Sequence, residues 1–275
     1  MTMGAAAQPR STFVEVAGLR HHVIEWGDPE AVPLLMLHGF TSSTTTAWGE
    51  SAPRLANRFR VVGIDLRGHG ESDWAPDADY TLRAYSDDIE SVLDRMDLEP
   101  QFVVGHSLGG RIAVLHAARH PGAVRRLILV DARMRGGRRV PDILDRRPDR
   151  FGSMDAAMEF AREILHEPGE RFRDQFVEQP DGTASWRCDL AGIRHSRLEP
   201  DLLLEDGQWD EYHALECPKL VLIAGRTPIR PEDIEAMSSS VGPVRIERYA
   251  ESGHSLHLDE PDRFLMDVND FFDLE

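Results

Sequence analysis

The stretch Gln101–His120, QFVVGHSLGGRIAVLHAARH, constrains the fold more than any other part of the chain. It begins with an apolar run, Phe102–Val104, which is typical of a short buried strand. Leu108 and Ile112 then follow four residues apart, as on one face of a helix. The pentapeptide Gly-His-Ser-Leu-Gly at 105–109 lies between the two elements. The chain must therefore turn sharply from a buried strand into a helix, with a serine at the centre of the turn.

A G-x-S-x-G turn between a strand and a helix is typical of a nucleophile elbow, because the glycines two residues before and after the serine leave room for the turn. The turn exposes the hydroxyl of Ser107 at the N-terminus of the helix, where the helix dipole favours developing negative charge. With 22 glycines in 275 residues, chance would produce this pattern on the order of a tenth of the time. A packing turn without chemistry also fits the pentapeptide, and the rest of the chain must decide.

The composition and charge exclude several classes of protein. Charged residues at 29% and hydrophobic residues at 41% are typical of a soluble globular chain, and no apolar run approaches the ~20 residues that span a bilayer. A formal net charge of −17 would repel phosphate, so we expect neither nucleic acid nor an anionic membrane as a partner. The first residues lack a cationic and apolar leader, so we expect a cytoplasmic protein. Cys188 and Cys217 lack the spacing of a disulfide framework or a metal site.

Apolar strands alternate with amphipathic helices along most of the chain. An N-terminal hairpin is predicted at Thr12–Val16 and His21–Trp26, and further strands at Val32–Leu37, Arg60–Asp65, Phe102–Val104, Val124–Val130, Leu220–Ala224 and Val244–Tyr249. Helices are predicted at Trp48–Phe59, Leu82–Met96 and Pro231–Met237 and near the C-terminus. This alternation predicts an α/β fold with a doubly wound, mostly parallel eight-stranded sheet that helices cover on both faces.

The alternation of strands and helices breaks between residues 132 and 213. Arginine is frequent at the start of this segment, helical segments follow, and no buried strand can be identified. We therefore predict a helical cap, residues 132–213, inserted at the carboxyl edge of the sheet. The core domain then consists of residues 1–131 and 214–275.

Four motifs occur in the order found in enzymes of the α/β-hydrolase fold. They are HGF at 38–40, DLRGHGESD at 65–73, GHSLGG at 105–110 and SGHSLHLDEP at 252–261. Nearly the whole chain except the cap resembles this family, in particular its capped serine esterases and lactonases. The resemblance implies an enzyme whose site lies beyond the carboxyl ends of the strands. It also implies that the enzyme uses neither a cofactor nor a metal ion.

The resemblance assigns a catalytic base to the loop after the last strand. Serine is a poor nucleophile until a base removes its proton, and histidine, with a pKa near ~6.5, is suited to this task. His254 matches the catalytic position of the family and is predicted to activate Ser107. His257 lies close by in the sequence and is the alternative base.

The position of the catalytic acid departs from the commonest pattern of the family. Relatives usually carry an aspartate shortly after the strand that here reads KLVLIAG, where this chain has Arg226–Arg230. Asp131 ends the strand VRRLILV, which resembles the alternative acid position of some lactonases and haloalkane dehalogenases of this fold. We predict Asp131 as the acid, with Glu232 and Asp233 as the alternatives.

By the same resemblance, the backbone N–H groups of Phe40 and Leu108 form the oxyanion hole that stabilises the tetrahedral intermediate. The cap is expected to select the substrate, and Trp186, Met134 and Met158 are the candidates for lining an apolar pocket. Large apolar residues of this kind are also common in the core of a cap.

These features together predict a serine hydrolase that cleaves a small carboxylic ester or lactone through an acyl-enzyme intermediate. Hydrolysis of a C–C bond or perhydrolysis by the same residues is an alternative. A receptor that holds a small ligand on a hydrolase scaffold is an alternative from another class, although a receptor has no need of an activated serine. The expected partner is the small-molecule substrate, and we expect a monomer or a homodimer.

Overall fold

The computed structural model describes residues 8–134, 147–164, 170–196, 208–226 and 229–273. Parts of the predicted cap lie outside the described residues, at 135–146, 165–169 and 197–207, as do residues 227 and 228. The residues predicted to form the catalytic site all lie within the described ranges.

An eight-stranded sheet forms the centre of the molecule, which confirms the predicted fold class. In chain order the strands are β1 (Arg10–Val16), β2 (Leu19–Trp26), β3 (Pro33–Leu37), β4 (Arg60–Ile64), β5 (Phe102–His106), β6 (Arg126–Val130), β7 (Arg150–Phe151), β8 (Phe176–Glu178), β9 (Ala184–Trp186), β10 (Lys219–Ala224) and β11 (Val244–Tyr249). The order across the large sheet is β1-β2-β4-β3-β5-β6-β10-β11. The pairs β1–β2 and β2–β4 are antiparallel, and the other pairs of this sheet are parallel.

Helices cover both faces of this sheet. In chain order they are α1 (Thr44–Trp48), α2 (Ala52–Leu55), α3 (Leu82–Arg95), α4 (Leu108–Arg119), α5 (Met154–Ile164), α6 (Leu190–Ser196), α7 (Trp209–Ala214), α8 (Pro231–Ser238), α9 (Leu256–Asp259) and α10 (Pro261–Asp273). Side chains of β3 alternate between the faces, so Leu35 and Leu37 join the apolar cluster under α3 and α4, and Leu34 and Met36 join the cluster under α10. Within the described ranges, no helix is long and apolar enough to cross a bilayer.

The prediction of one helix at Trp48–Phe59 is wrong. The structure has two short helices instead, and Gly49 is the C-cap of the first, α1. The second, α2, carries Pro53 in its first turn. Proline has no N–H group and its ring would clash with the preceding turn, so one helix cannot run through this position.

The expectation that segment 132–213 contains no buried strand is also wrong. The strands β7, β9 and β8 form a small antiparallel sheet in that order. Ala184 and Trp186 of β9 are buried, so this segment does contain a buried strand. Each of the three strands has only two or three residues, too few to produce a recognisable alternation in the sequence.

Candidate active site

Three neighbouring strands bring the predicted catalytic residues to one edge of the sheet. The chain continues beyond the ends of β3, β5 and β6 into His38, Ser107 and Asp131, respectively. Because β3, β5 and β6 are parallel neighbours, these residues lie at the same edge. The N–H group of Ser107 donates to the carbonyl oxygen of Val130 at 3.0 Å, which joins the turn after β5 to the end of β6.

Ser107 lies in a strained turn between β5 and α4. Its φ of 51° and ψ of −112° lie outside the favoured regions for a residue with a side chain, at a cost of ~1–3 kcal/mol. Glycines make the turn sterically possible. A Cβ on Gly105 would lie 2.6 Å from Cα of Gly110, and one on Gly109 would lie 2.7 Å from the carbonyl oxygen of His38. The G-x-S-x-G pattern therefore has the steric cause inferred from the sequence.

His254 and Asp131 form a hydrogen-bonded pair. The Nδ1–H group of His254 donates to Oδ2 of Asp131 at 2.6 Å. An ionised carboxylate only accepts hydrogen bonds, so this contact fixes the imidazole proton on Nδ1 and leaves the lone pair on Nε2. The Asp131 side chain is 4% exposed and the His254 side chain is 47% exposed. A buried carboxylate thus orients an imidazole that reaches the solvent.

Backbone contacts hold Asp131 in place. Its N–H group donates to the carbonyl oxygen of Leu222 at 2.8 Å, and its Oδ1 accepts from the N–H group of Ala224 at 3.1 Å. Both partners belong to β10, the next strand of the sheet. Asp131 also has a positive φ of 43°, so it turns sharply away from β6 to bring its carboxylate toward His254.

His106 supports the backbone of His254, a contact that the sequence analysis missed. The Nε2–H group of His106 donates to the carbonyl oxygen of His254 at 3.0 Å, and the two rings lie 4.7 Å apart. Burial, with a smaller contribution from the nearby His254, lowers the pKa of His106 to about 3. His106 therefore stays neutral at physiological pH and keeps this hydrogen bond.

His257, the alternative base, lies in a different environment. Its side chain is buried, and its ring centroid lies 4.6 Å from those of Trp48 and His106. His254, by contrast, makes the contact with Asp131. The structure therefore favours His254 over His257 as the oriented base.

Glu232 and Asp233, the alternative acids, lie in the first turn of α8. Nε of Arg230 donates to Oδ2 of Asp233 at 3.0 Å and lies 3.6 Å from Oε1 of Glu232. The two carboxylates are thus engaged at the start of their own helix, whereas the carboxylate of Asp131 contacts His254.

The loop after β3 is held by the His38 ring. The Nδ1–H group of His38 donates to the carbonyl oxygen of Gly39 at 2.8 Å, and its Nε2 accepts from the N–H group of Leu66 at 3.0 Å. Burial lowers the pKa of His38, which favours the neutral ring that these two bonds require. Because the C=O and N–H groups of one peptide point in opposite directions, the N–H of Phe40 is directed away from His38.

The same loop packs directly on the nucleophile turn. A Cβ on Gly39 would lie 3.2 Å from Cβ of Ser107 and 2.8 Å from Nδ1 of His106, so a larger residue would collide there. Leu108 is the first residue of α4, and N–H groups in the first turn have no acceptor within their helix. The backbones of Phe40 and Leu108 therefore adjoin Ser107 from the loop and from the helix.

An arginine of the predicted cap also reaches this loop. Nη1 of Arg147 donates to Oγ1 of Thr41 at 2.5 Å, and its guanidinium lies 5.0 Å from the ring centroid of Trp186. Thr41 follows Phe40 and has a positive φ of 56°. Residues 41 and 147 are 106 positions apart in the chain, and no sequence motif connects them, so this contact could not be predicted from the sequence.

The three apolar residues predicted to line the pocket differ in burial. Trp186 is 3% exposed, and its ring centroid lies 4.6 Å from that of Phe176 in a tilted arrangement. Its Nε1–H group donates to the carbonyl oxygen of Pro148 at 2.8 Å. Met134 is fully buried. For Trp186 and Met134 this burial favours packing roles over substrate binding. Met158 is partly buried and stays a candidate for the pocket.

This chain is similar in sequence and in fold to several known hydrolases. The profile of the alpha/beta hydrolase fold family matches residues 32–261. An N-formylmaleamate deformylase of Pseudomonas putida is 29% identical over 96% of this chain and 98% of that protein. A 2-hydroxymuconate semialdehyde hydrolase of a Pseudomonas species is 38% identical over 42% of this chain and 40% of that protein. The structure of an E-2-(acetamidomethylene)succinate hydrolase, 22% identical, covers 97% of this chain and 100% of its own with a TM-score of 0.79, a likeness of fold alone.

Proposed function

The chain belongs to the α/β-hydrolase family, and we propose that it is a serine hydrolase that cleaves small carboxylic esters or lactones through an acyl-enzyme on Ser107. The observation that carries this proposal is the 2.6 Å hydrogen bond between Nδ1 of His254 and Oδ2 of Asp131. An imidazole oriented in this way has its second nitrogen ready to act as a general base. We thus assign the nucleophile to Ser107, the base to His254 and the acid to Asp131.

In the first half-reaction, the Ser107 hydroxyl attacks the carbonyl carbon while Nε2 of His254 accepts the hydroxyl proton. Negative charge develops on the carbonyl oxygen, and the N–H groups of Phe40 and Leu108 stabilise it by ~3 kcal/mol each. The intermediate then collapses, the C–O bond to the leaving group breaks, and His254 gives its proton to the departing oxygen. The acyl group remains on Ser107.

In the second half-reaction, water attacks the acyl carbon and gives its proton to Nε2 of His254. Collapse of this intermediate releases the carboxylic acid and returns the proton to Ser107. Asp131 stays ionised and stabilises the imidazolium that forms in both steps. His106, whose pKa is lowered to about 3 by burial, adds no second positive charge beside that imidazolium.

A second candidate function is hydrolysis of an amide C–N bond by the same residues. The similarity to N-formylmaleamate deformylase, which extends over 96% of this chain, supports it. The chemistry differs only in the leaving group, because His254 must protonate a nitrogen rather than an oxygen. Formamides and other small amides therefore belong in any substrate test beside esters and lactones.

The remaining alternatives have weaker support. The similarity to 2-hydroxymuconate semialdehyde hydrolase, which covers 42% of this chain, keeps hydrolysis of a C–C bond open. Perhydrolysis uses the same acyl-enzyme with peroxide in place of water. A receptor role is disfavoured, since binding alone requires neither an oriented imidazole nor a serine in a strained turn.

Substitution of the nucleophile tests the proposal. We expect Ser107→Ala to reduce kcat for ester hydrolysis by ~10⁶ while the circular dichroism spectrum stays unchanged, because no other group replaces the attacking oxygen. Ser91→Ala, which removes a hydroxyl on the outer side of α3, is the matched control and should retain full activity. A fluorophosphonate probe should label the wild type and the control but not Ser107→Ala. Labelling that persists in Ser107→Ala would contradict the assignment.

A substrate panel distinguishes the candidate bonds. Wild-type enzyme is offered aryl esters, alkyl esters, lactones, N-formyl amides and vinylogous diketones of similar size, and kcat/KM is compared across the classes. We expect the highest values for esters or lactones. A preference of more than ~10-fold for formamides, which corresponds to ~1.4 kcal/mol in transition-state binding, would instead favour the C–N candidate.

A further inference from the structure

A second cluster of ionisable side chains lies between α3 and α4. His116 and His120 occupy positions one helical turn apart on α4 and its C-cap, and Glu90 faces them from α3. Oε1 of Glu90 accepts from Nδ1 of His116 at 2.8 Å, and Oε2 accepts from Nε2 of His120 at 2.5 Å. These ligand-type atoms all lie within 4.8 Å of one another. Among the described residues, no other group of three or more histidine, cysteine, aspartate or glutamate side chains brings its ligand atoms this close together.

The residue types and their spacing match those of a transition-metal site. Two histidines at positions i and i+4 of one helix face the same side, and a carboxylate from a neighbouring helix supplies a third ligand. In a tetrahedral zinc site with bonds of about 2.0 to 2.2 Å, the ligand atoms are separated by about 3.4 Å. The contacts of Nδ1 of His116 with Oε1 of Glu90 and of Nε2 of His120 with Oε2 of Glu90 are shorter than this separation, so the side chains must move apart to admit an ion.

The charges around the cluster favour a cation. Burial alone would raise the pKa of Glu90, but the hydrogen bonds from His116 and His120 outweigh it and hold the pKa below its usual value. Glu90 is therefore an ionised carboxylate. A cavity of about 170 Å³ adjoins the cluster, and Asp94 and Glu99 also line it. The acidic lining would raise the local concentration of cations.

We propose that Glu90, His116 and His120 form a binding site for a divalent transition-metal ion of the zinc type. A ligand set of two imidazole nitrogens and one carboxylate oxygen binds such ions in preference to Mg²⁺ or Ca²⁺. The His120 side chain is 43% exposed, so the ion enters from that side and keeps a water molecule as its fourth ligand. This site is separate from Ser107, which lies at the opposite end of α4.

Metal binding requires the two ring nitrogens that face Glu90 to present lone pairs. Each neutral ring achieves this by moving its proton to the other nitrogen, and a protonated ring releases one proton to solvent. Affinity should therefore increase with pH, because protons compete with the metal ion for the ring nitrogens. The bound ion would also join α3 to α4 and stabilise the folded state over the unfolded chain.

Isothermal titration calorimetry, with Zn²⁺ titrated into protein that has no histidine tag, tests the site. We expect one ion per chain, with affinity reduced by at least ~10-fold in His120→Ala and in Glu90→Gln, because each removes one of three ligands. Thermal unfolding followed by circular dichroism should show a higher midpoint with Zn²⁺ in the wild type and no such increase in the two variants. Because His120 is exposed, His120→Ala should fold normally, and the circular dichroism spectrum of the metal-free variant checks this.

Two further variants separate this site from other histidines. His195→Ala removes an exposed histidine of α6, and His254→Ala removes the proposed catalytic base. Both should retain one high-affinity Zn²⁺ per chain. If His120→Ala binds Zn²⁺ as tightly as the wild type, or if His254→Ala abolishes binding, the cluster is not the metal site. Absence of binding at millimolar Zn²⁺ and pH 7.5 would likewise overturn the proposal.

Discussion

The ends of β6 and β10 lie side by side at one edge of the sheet, yet only the end of β6 carries a carboxylate in contact with His254. There, Asp131 is buried and accepts hydrogen bonds from His254 and from the N–H group of Ala224. At the end of β10, the chain continues into Arg226, whose side chain is 70% exposed and 4.0 Å from Glu251. The two strands have the same direction but different polar surroundings.

A catalytic acid at a strand end requires hydrogen-bonding partners from its surroundings. A buried carboxylate is stable only when its oxygens are paired, and Asp131 has one partner in the backbone of β10 and one in the imidazole. Glu232 and Asp233 follow β10 closely in sequence, but they occupy the start of α8, where the helix dipole and Arg230 stabilise them. Proximity in sequence to the usual acid position is therefore insufficient.

Among changes at the ends of β6 and β10 and at the start of α8, removing the charge at the end of β6 should have the largest effect. Asp131→Asn should reduce kcat for a p-nitrophenyl ester by up to ~10⁴, because the amide stabilises the wrong tautomer of His254. The fold should be retained, since asparagine keeps the size of the side chain. The measurement is steady-state kinetics beside a near-ultraviolet circular dichroism spectrum. A loss of less than ~10-fold would show that the acid lies elsewhere.

Moving the acid from β6 to β10 tests the comparison directly. The N–H group of Arg226 donates to the carbonyl oxygen of Ser252 at 3.0 Å, two residues before His254. An aspartate at position 226 is therefore close to the histidine loop, and we expect Asp131→Asn/Arg226→Asp to regain ~10² of the kcat lost in Asp131→Asn. Asp131→Asn/Arg226→Asn is the matched control and should regain nothing. Equal activity of the two double variants would mean that only the end of β6 has the required geometry.

Two buried histidines, His69 in the loop after β4 and His106 at the end of β5, predict a loss of stability in acid. Burial lowers the pKa of His69 and of His106 to about 3, whereas in the unfolded chain both titrate near ~6.5. Below pH 6.5 the unfolded chain binds protons that the folded protein excludes, so the stability present above that pH is lost as the pH falls toward 3. From pH 7 to pH 5, the free energy of unfolding should fall by about 2 kcal/mol for each histidine.

Urea denaturation at pH 7, 6 and 5 measures this loss. His106→Gln should reduce the difference between pH 7 and pH 5 by about 2 kcal/mol, whatever its effect on stability at pH 7. His195→Gln removes an exposed histidine and should leave the difference unchanged. An unaltered pH dependence in His106→Gln would contradict the proposed neutral state of the ring.

The smallest effect is expected at the start of α8. Glu232→Gln and Asp233→Asn should change kcat by less than about 2-fold, since neither carboxylate orients the base. They should lower the free energy of unfolding by about 0.3 to 1 kcal/mol through a weaker interaction with the helix dipole and Arg230. Kinetics and urea denaturation on the same preparations measure both quantities. A loss of kcat near that of Asp131→Asn would reverse the assignment of the acid.

Long buried strands and long amphipathic helices could be predicted because their hydrophobic patterns are local. β3 is a continuous apolar run, as expected for a strand covered on both faces, and α3 presents one apolar face. Short elements could not be predicted in the same way. The strands β7–β9 and the break between α1 and α2 depend on two to five residues each, which is too few for periodicity to show.

The sequence by itself determined the turn at Ser107, because the spacing of glycines acts over a few residues and leaves a local pattern. His254 became the candidate base because the motif SGHSLHLDEP at 252–261 resembles that of the family. Only the tertiary structure distinguished Asp131 from the carboxylates of α8 as the hydrogen-bond partner of His254, since this bond joins residues 123 positions apart. The same holds for the contact of His106 with His254 and that of Arg147 with Thr41. Hydrogen bonds of this kind depend on which strand ends become neighbours, and that is fixed by the packing of the whole sheet.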